Sequence, residues 1–379
     1  MTQSVNTITD LLSIAGSKRF LDVPAMEDLG FAEAVHFPFL ALVGQQEMKL
    51  ALLLTILNPH IDGVLLIGPR GTGKTTAVRG LAPLLPDVDR SRCPYGCLPD
   101  DIETGGIDAV CPDCAKRYGE GQPLTFTDRV HLVELPLNAR LDDVIGSLSD
   151  QGTPHVRMRI RRGILSRADL NILYADEVNL LGDDIVNAML DASAQGVYRV
   201  HRGSQVATYR SRFTLIGSMN PEEGKLRPQM LDRFGLRVLV RGLIDSRERH
   251  EAYRRALAYR RNPSMFLQQY SDFTDQIRLE LQTTRERLAE TSIPRRTREA
   301  GLELINRLGI HSLRAEWTLF EAARAYTVAD GRKRVRIGDL GVVAPMALRM
   351  RRSPFMQTFL ETQAIEDDDI LTTLNALGE

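Results

Sequence analysis

The segment GPRGTGKT, Gly68 to Thr75, follows the apolar run Val64 to Ile67 and opens onto TTAVRGLAPLL. It fills the spacing G-x-x-x-x-G-K-[ST], and its flanks read as a strand before it and a helix after it. A strand feeding a helix through a glycine-rich loop commits this part of the chain to a parallel sheet with crossover helices. Glycines let backbone amides converge on phosphate oxygens, and the helix start adds partial positive charge. Lys74 reaches the outer phosphates of a nucleoside triphosphate, and the Thr75 hydroxyl can ligate Mg²⁺. The candidate nucleotide-binding residues are therefore Gly68, Pro69, Arg70, Gly71, Thr72, Gly73, Lys74, Thr75 and Thr76.

Further β-type runs recur at His131 to Leu135, Ile172 to Ala175, Phe213 to Gly217 and Leu236 to Val240, with helical patterns between several of them. This alternation predicts an α/β fold, a parallel sheet covered on both faces with ligands at the carboxyl ends of its strands. Ahead of the loop, Met48, Leu50, Ala51, Leu52, Leu54 and Leu57 suit a mostly buried helix stopped by Asn58-Pro59. Beyond about residue 245 the β-type runs fade. Helical patterns at Ser246 to Tyr259, Phe273 to Leu288, Arg298 to Leu308 and Leu313 to Ala329 predict a second, all-helical domain. The expected division is an N-terminal extension over 1–36, a nucleotide-binding core over 37–244 and a helical lid over 245–379. Late in the lid, EDDDI at Glu366 to Ile370 reads as a solvated acidic turn.

Hydrolysis needs more than a phosphate cradle. LNILYADE places Asp176 and Glu177 at the end of an apolar strand, where one carboxylate can hold Mg²⁺ and the other can act on water. An acidic pair capping the next helix is the ordinary alternative. FTLIGSMNP ends another buried strand at Asn220, placed to hold water or the γ-phosphate, although an asparagine before proline is also a turn signal. Arg233 in LRPQMLDRFGL and Arg314, behind the candidate cap Ser312, complete the catalytic set, with plain surface arginines as the alternative.

These segments resemble AAA+ ATPases and, among them, the I subunits of magnesium chelatase. The likeness runs from about Phe37 to Asp330 through FPFLALVGQQEMKLALLL, GPRGTGKTTAVRGLAPLLP, GILSRADLNILYADEVNLLGDDIVNAMLDASAQG, GSMNPEEGKLRPQMLDRFGL and SLRAEWTLFEAARAYTVADGR. It implies Asn220 as sensor 1, Arg233 as the arginine finger and Arg314 as the sensor-2 arginine. VYRVHRGSQVATYR, within 197–210, matches a hairpin inserted before sensor 1, and Leu141 to Leu165 an insertion in the second helix. ATP and Mg²⁺ are the implied cofactors. A ring homo-oligomer, expected as a hexamer, working with a von Willebrand A subunit and a porphyrin-binding subunit, is the implied assembly.

All four cysteines lie close together as Cys93, Cys97, Cys111 and Cys114, in the insert 93–114. C-x3-C followed by C-x2-C resembles a structural Zn²⁺ site, with an iron–sulfur cluster, a redox sensor or unrelated thiols as alternatives.

Charge limits the partners. The 379 residues carry 48 basic and 49 acidic side chains, a net charge of -1, so no global field recruits nucleic acid or an anionic membrane. The basic run Val156 to Arg162 and Arg199, Arg202 and Arg210 keep a nucleic-acid motor conceivable, yet no DNA-reading module accompanies them. A remodelling chaperone for a von Willebrand A protein outside tetrapyrrole synthesis is the nearer alternative. A nucleotide-gated scaffold would need a broken site, and none of the expected residues is missing. No apolar run approaches the about 20 residues that span a bilayer, and the N-terminus lacks a basic start followed by an apolar core, so the expected address is cytoplasmic.

Overall fold

The computed structural model describes residues 35–149, 159–202 and 205–377. Most of the expected N-terminal extension and the first part of the basic run, Val156 to Met158, lie outside the described residues.

The strands of the central sheet are β1 (Val64–Ile67), β2 (Leu132–Leu135), β3 (Ile172–Ala175), β4 (Thr214–Met219) and β5 (Leu236–Leu239). They pair in the order β5-β1-β4-β3-β2, and every pairing is parallel. Alternate side chains divide between two cores. Val64 and Leu66 pack with the helix Gln46–Leu57 and with helices of the C-terminal region, whereas Leu65 and Ile67 pack with the helix Asp183–Gln195. Burial on both faces explains why β1 and β3 are uninterrupted apolar runs. The helix Gln46–Leu57 is apolar nearly all round for the same reason. It lies between sheet and lid, and Leu52, Leu54 and Ile56 are almost wholly enclosed.

Two ribbons interrupt the plan. Val88–Ser91 pairs antiparallel with Thr125–Asp128 and carries the cysteine insert at its open end. Gly146–Ser149 pairs with Arg159–Arg162, inside the segment expected as a helix insertion. The expected hairpin is present as Val197–Arg202 paired with Gln205–Arg210.

From Ser246 on, the described residues form helices, joined by a single bridge between Ser292 and Arg334. Arginines and one asparagine tie these helices to the sheet layer. Asn58 Nδ2 donates to the Glu321 carboxylate at 2.8 Å, and Arg285 donates to the Ile56 carbonyl. Arg349 Nη1 reaches Glu47 at 2.5 Å and the Arg237 carbonyl at 2.8 Å.

Two local readings are corrected. EDDDI is no turn. It lies within the helix Pro354–Leu377, because no glycine or proline stands between Pro354 and Leu377 to stop the helix and the acidic side chains stay exposed. Ser312 does not cap the helix Arg314–Ala329, whose N-cap is Leu313 without a side-chain bond. The Ser312 hydroxyl instead donates to Asp232 Oδ2 at 2.8 Å.

Candidate nucleotide site

The glycine-rich loop leaves β1 at the carboxyl end of the sheet, as the strand–loop–helix pattern requires. Gly68 must be glycine here because a Cβ would lie 2.1 Å from the Val240 carbonyl oxygen. Gly73 carries φ 87° at the start of the helix Lys74–Arg79, a left-handed conformation that other residues adopt at a cost. Lys74 is buried and folds over the loop. Its Nζ donates to the Gly68 and Pro69 carbonyls at 2.8 Å each. Burial lowers the Lys74 pKa, against the opposing pull of Asp176, Glu177 and Glu223.

Thr75 and Asp176 meet across the cleft, with Thr75 Oγ1 donating to Asp176 Oδ2 at 3.1 Å. The other carboxylate oxygen, Oδ1, accepts from Tyr174 OH at 2.7 Å and from the Ser218 hydroxyl. These bonds fix the carboxylate and leave Oδ2 beside the threonine hydroxyl. A hydroxyl and a carboxylate oxygen held at one point form the hard donor pair that Mg²⁺ takes alongside phosphate oxygens and water.

Glu177 follows with φ 50° and ψ 49°, an unusual conformation for a residue with a side chain. Its N–H donates to Ser218 Oγ at 3.1 Å, which helps hold that backbone. Its carboxylate stands 3.2 Å from Arg70, and Arg70 also pairs with Glu223 at 2.6 Å. Asn220 is buried at the end of β4 and lines the same cleft as Gly71, Gly73, Lys74, Thr75, Asp176 and Glu177.

The two other arginines are elsewhere. Arg233 Nη1 pairs with Asp191 at 2.6 Å on the helix Asp183–Gln195, and Arg314 Nη1 lies 3.8 Å from Asp232. Neither lines the phosphate cleft of its own chain. Beside Arg233, Asp232 also accepts from Ser312, pairs with Arg351 at 2.7 Å and lies 3.6 Å from Arg237. Burial acting alone would raise the Asp232 pKa, but Ser312 and the neighbouring arginines hold it below the ordinary carboxylate range.

Sequence reasoning missed Ser218, Tyr174, Glu223 and the Asp232 hub. Ser218 had a signal, being a polar residue within the otherwise apolar strand TLIGSM. Arg351 had none, since nothing in RMRRS marks it as buried.

The cysteines also come together. One sulfur from each of Cys93, Cys97, Cys111 and Cys114 lies within 4.8 Å of the other three. The closeness of the Cys93 and Cys97 sulfurs draws Cys93 below the ordinary thiol range and pushes Cys97 above it.

The five-stranded parallel sheet, the phosphate loop at its carboxyl edge and the helical lid are those of an AAA+ ATPase. The AAA lid domain family matches residues 298–374. A magnesium-chelatase subunit ChlI homolog of Methanocaldococcus jannaschii is 40% identical over 334 residues, 87% of this chain and 90% of that protein. The magnesium-chelatase 38 kDa subunit of Acidiphilium rubrum is 40% identical over 84% of this chain and 92% of its own. A solved putative ATPase of Cytophaga hutchinsonii matches at TM-score 0.53 and 20% identity, over 82% of this chain and 83% of that one, and shares the fold. The chain belongs to the magnesium-chelatase ChlI family of AAA+ ATPases. Members of that class use ATP with Mg²⁺. No helix among the described residues is long and apolar enough to cross a membrane.

Proposed function

We propose that the chain is the ATP-hydrolysing motor of a chelatase that inserts magnesium into a porphyrin. The observation that carries this reading is the identity of 40% to a magnesium-chelatase 38 kDa subunit and to a magnesium-chelatase subunit ChlI homolog, each match spanning more than four-fifths of this chain. The core over 37–244 binds the nucleotide, and the lid over 245–379 passes its state onward. Loop amides from Arg70 to Thr76 and the Lys74 ammonium hold the phosphates. Thr75 and Asp176 hold Mg²⁺, which offsets charge on the phosphate oxygens. Glu177 takes a proton from the attacking water, and Asn220 orients that water or the γ-phosphate.

Arg233 completes the site from a neighbouring copy, as its distance from its own cleft and its place on the Asp191 face support. Head-to-tail contact repeated by rotation closes a ring, read here as a hexamer. Arg314, at the start of a lid helix, reads the γ-phosphate and moves the lid with it. The partners are a von Willebrand A subunit and a porphyrin-binding subunit, and the compartment is the cytoplasm. Zn²⁺, in contrast, belongs to the cysteine insert, away from the phosphates.

The test traps the ATP-bound state with Glu177→Gln and identifies what copurifies. Recovery of a von Willebrand A protein, with ATP-dependent magnesium insertion when a porphyrin-binding subunit is added, supports the reading. Recovery of such a partner without any porphyrin metalation would replace it with a remodelling chaperone.

A further inference from the structure

The cysteine insert is a module almost without a hydrophobic core. Its enclosed apolar cluster consists of Cys93, Cys97, Cys114 and Leu124, with Ile102, Val110 and Cys111 packed at the edge. The helix Pro99–Gly105 buries no residue, and the helix Pro112–Gly119 buries only Cys114. So few apolar side chains cannot offset the chain entropy lost in ordering more than thirty residues. Something else must hold the fold, and the four sulfurs meet at its centre.

Their arrangement suits one tetrahedral ion. Zn–S bonds of about 2.3 Å place the sulfurs of a tetrathiolate site about 3.8 Å apart, and each sulfur here lies within 4.8 Å of the others. A polynuclear iron–sulfur cluster would put its own bulk between the sulfurs and spread them further. Donors for sulfur charge are in place as well. The Cys97 N–H points at the Cys93 sulfur at 3.3 Å, the Cys111 N–H at the Cys97 sulfur at 3.4 Å, and Ser91 Oγ at the Cys93 sulfur at 3.4 Å. Four thiolates around Zn²⁺ leave two negative charges, and the Arg162 guanidinium donates to the Cys93 carbonyl at 3.0 Å beside them.

The loop between the first two cysteines then meets the inserted hairpin. Tyr95 stacks on Tyr209 at 5.4 Å between ring centroids, and Tyr209 stacks in turn on Tyr198 at 5.6 Å. Asp101 forms an ion pair with Arg210, and the Arg210 N–H donates to the Tyr95 carbonyl at 3.4 Å. Gly96, with φ 82°, lies so close that an added Cβ would stand 3.0 Å from Arg210 Cβ.

We infer that Cys93, Cys97, Cys111 and Cys114 hold one structural Zn²⁺, and that the module this ion orders clamps the base of the hairpin through Tyr95 and Asp101. On binding, the thiols still protonated release their protons to water, and no electron moves. The ion does no chemistry on ATP. Its role is to fix where the hairpin stands on the sheet, and this holds whether or not the motor serves a chelatase.

The experiment takes the full chain purified without chelator. Elemental analysis should give about one zinc per chain, and replacement by Co²⁺ should give the visible bands of a tetrathiolate site. Protein containing no metal, or iron in place of zinc, overturns the site. Removing zinc from the folded protein with a thiol-reactive mercurial and a chelator, then restoring thiols with reductant while the chelator remains, should speed amide exchange severalfold in residues 93–124 and 205–210. Unchanged exchange at 205–210 overturns the clamp. Asp101→Asn provides the second arm, because it touches no sulfur. It should keep its zinc and still show severalfold faster exchange at 205–210, and protection equal to wild type there would equally overturn the clamp.

Discussion

Asp232→Asn should separate the lid from the sheet layer more than any other conservative change. The side chains of Arg237 and Arg351 are fully buried, and Asp232, itself 30% exposed, is the only carboxylate among the described residues that forms an ion pair with either, at 3.6 and 2.7 Å. An asparagine keeps the shape and one acceptor but takes from two enclosed cations the carboxylate that pairs with them. Removing one partner of a buried pair costs about 3–5 kcal/mol. The lower end applies here, because Arg351 keeps acceptors in the Ala347, Phe234 and Gly235 carbonyls at 2.7, 3.2 and 3.1 Å. A loss of about 3 kcal/mol, at about 2–4 °C per kcal/mol, lowers Tm by about 6–12 °C. The measurement is thermal unfolding followed by circular dichroism at pH 7.5. Asp232 has a folded pKa below its ordinary value, so its contribution is complete above about pH 4 and is lost as pH falls through the lowered value. The gap between wild type and variant should therefore be constant from pH 6 to 8. Adding Arg351→Met should return part of the loss, since it removes one stranded charge. A variant melting within about 1 °C of wild type would refute the hub.

Two further outcomes follow from the cleft. Glu177→Gln should bind ATP as wild type does and hydrolyse it about 10²–10⁴-fold more slowly, because an amide cannot accept the proton of the attacking water, as phosphate release and nucleotide titration would show. Gly68→Ala should displace the loop, since its Cβ meets a backbone oxygen with no rotamer to turn aside. A loss of about 1–3 kcal/mol in stability and weaker ATP binding are expected, read by denaturant unfolding and titration.

The parts of the fold that were legible in the sequence are those where one physical cause dominates. β1 and β3 were readable to the residue because burial on both faces demands unbroken apolar runs. The loop was readable because its glycines, lysine and threonine each answer a separate geometric need. Asp176, Glu177 and Asn220 followed from the ends of the strands that carry them, and all three line the same cleft. What escaped depends on contacts between segments far apart in the chain. Asp232 and Arg351 are 119 residues apart, and neither position carries a local pattern that names its partner. Ser312 looked like a cap because a serine before a helix usually is one, whereas its hydroxyl is claimed by Asp232. EDDDI looked like a turn because charge density was weighed above the absence of any helix breaker around it. Arg314 opens the lid helix as expected, whereas Arg233 stands in the turn after the short helix Pro228–Leu231, and their partners within the chain, Asp232 and Asp191, could not be read from spacing.

The most direct measurement mixes two inactive variants. In the proposed shared site, Lys74→Ala would remove the phosphate ligand of its own cleft, and Arg233→Ala would remove the charge offered to a neighbour, an effect worth about 10³–10⁵ in rate for arginines supplied in trans. Each variant alone should hydrolyse almost no ATP. In mixed assemblies, verified by native mass spectrometry, an intact Lys74 cleft can receive an intact Arg233 from the adjoining copy, so Mg²⁺-dependent ATP hydrolysis should reappear. Mixed assemblies that stay as inactive as their parents would contradict a site shared between subunits and leave Arg233 as the structural partner of Asp191.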